Sequence, residues 1–331
     1  MNILLTSASR KIWLVKAFES ALKRLDDRGH VFVLDKDPLS ATLYYAPHGR
    51  LWPYPPGQEQ VEHLKKLCSE ENISLIIPTR DGELAMFADG REALAQAGIM
   101  VMVSPLRTVE ICQDKYQFYK FCRDKGYLVP ETWLPGDRSQ VPLPWFIKPR
   151  CGSGSIRTAR VDSCDQAAGY LAWCGGACVI QKALQGIEYT VDVFCGNAGQ
   201  CCSVVRQRIE VVAGESYKTR TVQDPEINSI AECLVRDIGG TGHLTVQCMR
   251  HVDGKVYVIE MNPRIGGGAN LGIKAGLDTP CWMIRMAKGE PLDLAGFSYG
   301  PGLIMLRYTD DIFITDDQVL REDARNAGCH F

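Results

Sequence analysis

Two strands, Leu244–Val252 and Lys255–Met261, read as a hairpin joined at Asp253-Gly254, a strong turn pair. Counting outward from a two-residue turn sets Gln247 directly opposite Glu260, with Cβ atoms ~4.5–5.5 Å apart. Asn262, two residues on, faces the same way. Two amides and a carboxylate then converge, all hard oxygen donors. That set suits Mg²⁺, which binds through one or two carboxylates plus substrate phosphates. The strand is apolar on both faces, with Val256 and Val258 on one and Tyr257, Ile259 and Met261 on the other. A carboxylate there is costly unless paired or metal-bound. The alternative is Glu260 paired with Arg264 and Asn262 capping the turn. A one-residue bulge would break the geometric argument.

Two further stretches carry chemistry. In Lys148-Pro-Arg-Cys-Gly-Ser-Gly-Ser155 a lysine leaves a strand and a small-residue loop follows. Glycines let backbone N–H groups approach phosphate oxygens, and the lysine adds a point charge. The lysine precedes the loop, so this is no P-loop; a plain hairpin loop is the alternative. In Gln181-Lys-Ala-Leu184 a strand runs into an irregular segment and meets Glu188 before the next strand. Backbone groups there could read an adenine edge and Glu188 a ribose hydroxyl; an ordinary connection with a surface acid competes.

The elements that must position these groups fall into three sections. From Met1 to about Val103, short apolar strands (2–6, 31–34, 75–77, 100–103) alternate with helical stretches at Trp13–Leu25 and Val61–Cys68. That pattern predicts a parallel sheet covered on both faces. Its first turn, Thr6-Ser-Ala-Ser-Arg10, lacks the Gly-x-Gly-x-x-Gly of a dinucleotide site, and Asp35 and Asp37 read as loop caps. Arg10, Thr79, Arg80 and Asp81 stand near strand ends, as substrate contacts or helix caps. The second section holds a helix over Thr108–Lys125, a strand over Trp145–Lys148, a helix from about Asp165 to Trp173 and a strand over 179–181. The third holds long strands, with Glu188, Thr190 and Asp192 alternating against Tyr189, Val191 and Val193. Arg206, Arg208, Lys218 and Arg220 lie on strands here. They are candidates for a substrate carboxylate, or else a solvated charged face. His243 is a candidate base or a structural histidine.

The 331 residues, 46% apolar and 23% charged, match about two globular domains. Lys+Arg of 37 against Asp+Glu of 39 leaves a net charge of −2, with no global field for nucleic acid or anionic lipid. No apolar run is long enough to span a membrane, and the N-terminus does not read as a signal peptide. The 14 cysteines are scattered without paired Cys-x-x-Cys spacing, and are expected as reduced, partly buried thiols of a cytoplasmic protein. Cys174 and Cys178, four apart, could share a helix face.

Taken in order, these pieces resemble the ATP-grasp superfamily, most nearly single-module proteins related to the carbamoyl-phosphate synthase large subunit. The most specific stretch is Val258-Ile-Glu-Met-Asn-Pro-Arg264 followed by Ile-Gly-Gly-Gly-Ala-Asn270. Asp114-Lys115, Phe146-Ile-Lys-Pro149 and Glu188-Tyr-Thr-Val-Asp192 support it. The resemblance implies an α/β and α+β architecture. An N-terminal Rossmann-like parallel-sheet domain (residues 1–105) would precede a two-lobed ATP-grasp domain (first lobe 106–180, second lobe 181–295) and a C-terminal extension (296–331).

It further implies ATP with Mg²⁺, or Mn²⁺, as cofactors. Lys115 and Lys148 would contact phosphates beneath a loop of Gly152, Ser153, Gly154 and Ser155. Gln181, Lys182 and Leu184 would line the adenine pocket, and Glu188 would hold the ribose. Gln247, Glu260 and Asn262 would hold metal, and Arg264 would face the transferring phosphoryl group. Gln247 replaces the acid of many members. The implied reaction joins a small carboxylate to an amine through an acyl phosphate, releasing ADP and phosphate, with a homodimer as candidate assembly. Phosphoryl transfer without an amine step and a non-catalytic ATP-binding subunit are the alternatives.

Overall fold

A computed structural model describes residues 1–52, 57–137, 141–152, 154, 157–212 and 214–321. The chain divides into two compact units. One comprises Met1–Val103, Asp278–Asp293 and Tyr308–Phe331; the other Ser104–Leu277 and Leu294–Arg307. Cuts drawn along the sequence keep 181–295 together. The structure instead groups Asp278–Asp293 with the N-terminal unit, where Lys288 pairs with Asp27 (2.8 Å) and Arg24 with Asp278 (2.6 Å).

The first unit is built on five parallel strands, β1 (Asn2–Thr6), β2 (Val31–Asp35), β3 (His48–Leu51), β4 (Ile73–Pro78) and β5 (Met100–Val101), in the order β3-β2-β1-β4-β5. The central strands are apolar on both faces because helices cover both. Edge strand β3, His-Gly-Arg-Leu, has no apolar pattern and was not foreseen. Asp35 takes the N–H groups of Ser9 and Asp37, which is the loop-capping role read from sequence.

The second unit contains two antiparallel sheets. The first lobe has β6 (Thr132–Trp133), β7 (Trp145–Pro149), β8 (Ala159–Val161) and β9 (Cys178–Lys182), in the order β6-β9-β7-β8. The second has β10 (Gly186–Cys195), β11 (Cys201–Val212), β12 (Glu215–Val222), β13 (Gly242–His251), β14 (Val256–Asn262) and β15 (Ile304–Leu306), in the order β14-β13-β10-β11-β12-β15. Val191, Val193, Val205, Leu244, Val246, Val256, Val258 and Met261 bury one face of this sheet in a core with the helix Pro225–Asp237. The opposite face carries the polar groups, Glu188, Thr190 and Asp192 on β10, Arg206 and Arg208 on β11, Thr245 and Gln247 on β13, with buried Val204 and Phe194 beside Asp192.

The helix expected over Thr108–Lys125 is two, Leu106–Gln113 and Lys115–Asp124. Asp114 between them is extended, and its carboxylate caps the second helix through Tyr116 and Gln117 N–H groups. Cys195 and Cys201 face each other across the β10–β11 hairpin and are joined by a disulfide. That corrects the expectation that every thiol is reduced: antiparallel register, invisible in residue spacing, brings this pair together. Among the described residues no helix is long and apolar enough to cross a membrane.

Candidate active site

The site is built where the polar face of the six-stranded sheet meets the end of β7. Gln247 pairs with Glu260 and Thr245 with Asn262, as the sequence requires. The turn that delivers them is different. His251 N–H donates to the Lys255 carbonyl (2.9 Å), leaving Val252, Asp253 and Gly254 as a three-residue loop with Gly254 at φ 83°. Beyond it Cys248 pairs with Val258, so Ile259 is a one-residue bulge. The extra turn residue and the bulge offset each other. The bulge also turns Glu260 and Asn262 away from the face of Val256 and Val258, which stay buried. The carboxylate is therefore spared the apolar surroundings expected of it.

Lys148 is 4% exposed, and its Nζ lies 3.9 Å from Glu260 Oε2. Burial pushes its pKa down to about 8; Glu260 and Glu188 oppose that shift and Lys115 adds to it. All four charged groups thus share one electrostatic neighbourhood. Lys115 opens its helix and donates to the Gly152 carbonyl (2.6 Å). Beneath it Asp114 holds Arg150 in a two-pronged ion pair (2.9 and 2.7 Å), and Lys115 N–H bonds the Arg150 carbonyl (3.0 Å). Gly152 and Gly154 adopt φ 106° and 80°, conformations glycine accepts without strain. Ser153 and Ser155 lie outside the described residues.

Gln181 is buried on β9 and donates to Thr132 Oγ1 (2.8 Å), Lys182 is exposed, and Leu184 is half-buried in the connection from β9 to β10. Glu188 accepts from Arg208, whose other arm reaches the Gly214 carbonyl (2.9 Å). Arg264 follows β14, and its carbonyl accepts from Thr245 Oγ1 (3.2 Å).

The sequence did not foresee a buried charge cluster beside the site. Arg206, 1% exposed, grips Asp192 through Nε and Nη2 (2.6 and 2.8 Å), and His243 Nε2 stands 3.6 Å from the same carboxylate. Burial alone would raise the Asp192 pKa, but Arg206 and His243 hold it at about 2. The glycines after Arg264 press on this cluster. A Cβ at Gly268 would come within 2.6 Å of Arg206 Nη1, and one at Gly272 within 2.5 Å of Asp192 Oδ2. Arg206 and His243 thus belong to the sheet's own packing. Lys218 pairs with Glu210 (2.6 Å) and Arg220 bonds Gln207 (2.8 Å). The alternation that puts Asp192 and Glu188 on one face was the signal that a cation on β11 would answer them.

Residues 112–268 match the family model described as ATP-grasp domain, and residues 3–102 the one described as PylC-like, N-terminal domain. Residues 112–268 form an ATP-grasp domain. Against the carbamoyl phosphate synthase large chain of Thermoplasma acidophilum, this chain is 23% identical over an alignment of 283 positions that covers 78% of its length and 27% of the relative's. It spans only about a quarter of the length of the curated relatives it matches. Its fold is shared with Campylobacter jejuni biotin carboxylase (TM-score 0.71, 17% identity, 88% of this chain and 72% of that one). It is also shared with an L-amino acid ligase from Bacillus licheniformis (TM-score 0.70, 19% identity, 92% and 78%).

Proposed function

We propose that this chain is an ATP-dependent ligase that activates a small carboxylate as an acyl phosphate, joins it to an amine, and releases ADP and phosphate. The observation that carries the reading is the approach of Lys148 to Glu260 at 3.9 Å, with Lys115 and Glu188 in the same field. A buried lysine, a loop rich in glycine and one carboxylate flanked by two amides form a site for polyphosphate and metal, whereas a structural ion pair needs none of the rest.

In this reading Lys115 and Lys148 neutralise phosphate oxygens. The backbone N–H groups of Gly152 and Gly154 offer further donors to them. Gln181, Lys182 and Leu184 border the adenine, and Glu188 takes the ribose. Glu260, Gln247 and Asn262 offer three hard oxygens on one sheet face, which fit Mg²⁺ or Mn²⁺. Bound there, the ion would neutralise charge on the phosphates during transfer. Arg264 meets the transferring phosphoryl group with two parallel hydrogen bonds. The names of the relatives, a carbamoyl phosphate synthase, a biotin carboxylase and an L-amino acid ligase, fit ligase chemistry of this kind.

The test is ADP release from Mg·ATP across a panel of small carboxylates, each with and without amines. ADP formed only when a carboxylate is present, with an amide product when an amine is added, supports the reading. Acyl phosphate that accumulates unchanged by any amine would remove the ligation step.

A further inference from the structure

Three strands press on the turn that follows Arg264, whose residues 266–268 are glycines. A Cβ at Gly266 would come within 2.7 Å of Thr245 Oγ1 on β13, and one at Gly267 within 2.9 Å of the Glu215 carboxyl carbon on β12. Gly268 meets Arg206 on β11 in the same way. Glycine lets the backbone lie this close to the sheet, but it leaves the turn no side chains to anchor it. Its position must come from the partners of its backbone. The Gly266 and Gly268 carbonyls accept from the N–H groups of Ala269 (3.1 Å) and Leu271 (3.2 Å), three residues on. Those bonds shape the turn without tying it to the sheet. The Gly267 carbonyl accepts from Arg307, 40 residues on.

Arg307 is itself firmly held. It follows β15, which pairs with β12 at the sheet edge, in the stretch Leu294–Arg307 of the second unit. Its N–H donates to the Tyr217 carbonyl (2.9 Å), and its guanidinium lies over the Tyr217 ring, 5.7 Å from the centroid. Nη1 pairs with Glu215 and Nη2 donates to Gly267. Glu215 thus lies against the turn and neutralises the cation that grips it. Both side chains are mostly buried, at 17% and 28% exposure. Arg264 stands three residues before Gly267, and Thr245 Oγ1 holds its carbonyl (3.2 Å). The segment that carries Arg264 is therefore fixed by Thr245 at one end and by Arg307 at the other.

We propose that Arg307, with Glu215, is a positioning residue of the site: by holding the Gly267 carbonyl it sets the path of the turn, and so the aim of the Arg264 guanidinium at the transferring phosphoryl group. The role of Arg264 in phosphoryl transfer rests on the function proposed above; the tether to Gly267 stands without it. The Arg307 guanidinium is engaged by Glu215 and Gly267, and it acts through Arg264. A small misplacement of a group that meets the reacting atoms costs turnover heavily. ATP held by Lys115 and Lys148 does not depend on that aim. Loss of the tether therefore lowers turnover and leaves nucleotide affinity in place.

The experiment compares the full chain with Arg307→Met, Arg307→Lys, Arg264→Lys and the double variant Arg264→Lys with Arg307→Met. The readouts are ADP release, Mg·ATP affinity by calorimetry, and amide hydrogen exchange of the peptide spanning 264–271. Arg307→Met keeps an aliphatic contact with Tyr217 and removes both polar bonds. It should lower turnover by about tenfold or more, leave affinity nearly unchanged, and speed exchange of the Ala269 and Leu271 amides that close the turn. Arg307→Lys, able to keep one of the two bonds, should recover part of the turnover. In the Arg264→Lys background, Arg307→Met should add little, because both changes act on one guanidinium. Losses that multiply in the double variant, or equal losses of affinity and turnover, would overturn the positioning role. Unchanged exchange over 264–271 would overturn the tether. A wild-type chain that forms no ADP would refute the ligase reading, while exchange still decides whether Arg307 holds the turn. Should Arg307→Met fail to fold, Glu215→Gln removes the counter-charge at the same shape and is read in the same three ways.

Discussion

Gln247 on β13 stands directly opposite Glu260 on β14, although the ladder between them and the turn contains an extra residue at Ile259. The bulge decides which face the carboxylate occupies. Met261 stays in the core with Val258, and Glu260 turns to the polar side with Asn262. There it meets Lys148.

Glu260→Gln keeps the side chain's shape and removes the charge that would hold Mg²⁺. ADP production should fall by about 100-fold or more, while the fold survives as a cooperative melt, at a midpoint lowered by the loss of the counter-charge of buried Lys148. ADP assays beside a thermal melt decide it. Full turnover at saturating Mg²⁺ would refute the metal assignment.

Lys148 gives a pH signature. Its ammonium must be present to meet phosphate, and burial holds its pKa at about 8. Mg·ATP affinity should therefore be greatest below about pH 8 and weaken above it. Lys148→Arg, permanently charged, should remove the break. The stability sign is opposite. Between about 8 and the ordinary lysine value of 10.5 the unfolded chain binds more protons, so this group's contribution to stability rises with pH across that window. Calorimetric affinities at a series of pH values test the binding half, and an affinity flat through pH 8 would contradict it.

Arg264→Lys should cut turnover by a larger factor than it weakens ATP binding, because a guanidinium matches developing phosphoryl charge with a geometry lysine lacks. Turnover and nucleotide affinity measured on the same variant separate the two. Equal losses would place Arg264 in ground-state binding.

The Asp192–Arg206 pair is a structural matter with its own test. Removing the cation with Arg206→Met leaves a buried carboxylate and should cost about 3–5 kcal/mol in urea unfolding. Asp192 is held at about 2, below its unfolded value, so its stabilisation is present above the ordinary carboxylate range and is lost as pH falls toward 2. A variant as stable as the parent would show that the pair contributes nothing.

Much of this arrangement is legible in the residues. Apolar runs alternating with helical stretches give the parallel sheet, and the alternation over Glu188–Val193 gives the polar face of β10. The facing of Gln247 and Glu260 was reached from a two-residue turn the molecule does not use; it holds because Ile259 restores the count. Long-range register was not legible. Neither the Cys195–Cys201 pairing nor the meeting of Arg206 with Asp192 follows from spacing, since both depend on which strands lie side by side. The break at Asp114 was missed because its flanks are helical and the groups that hold it extended, the ion pair with Arg150 and a β-bridge to Cys151, lie 36 and 37 residues on.

The central claim, phosphoryl transfer from ATP at Lys148 and Glu260, is tested most directly by product analysis. Mg·ATP is incubated with the carboxylate panel and the nucleotides are separated by chromatography. The account predicts ADP and phosphate, formed by the wild type and lost in Glu260→Gln, because the site addresses the β- and γ-phosphates. AMP and pyrophosphate as products would contradict it.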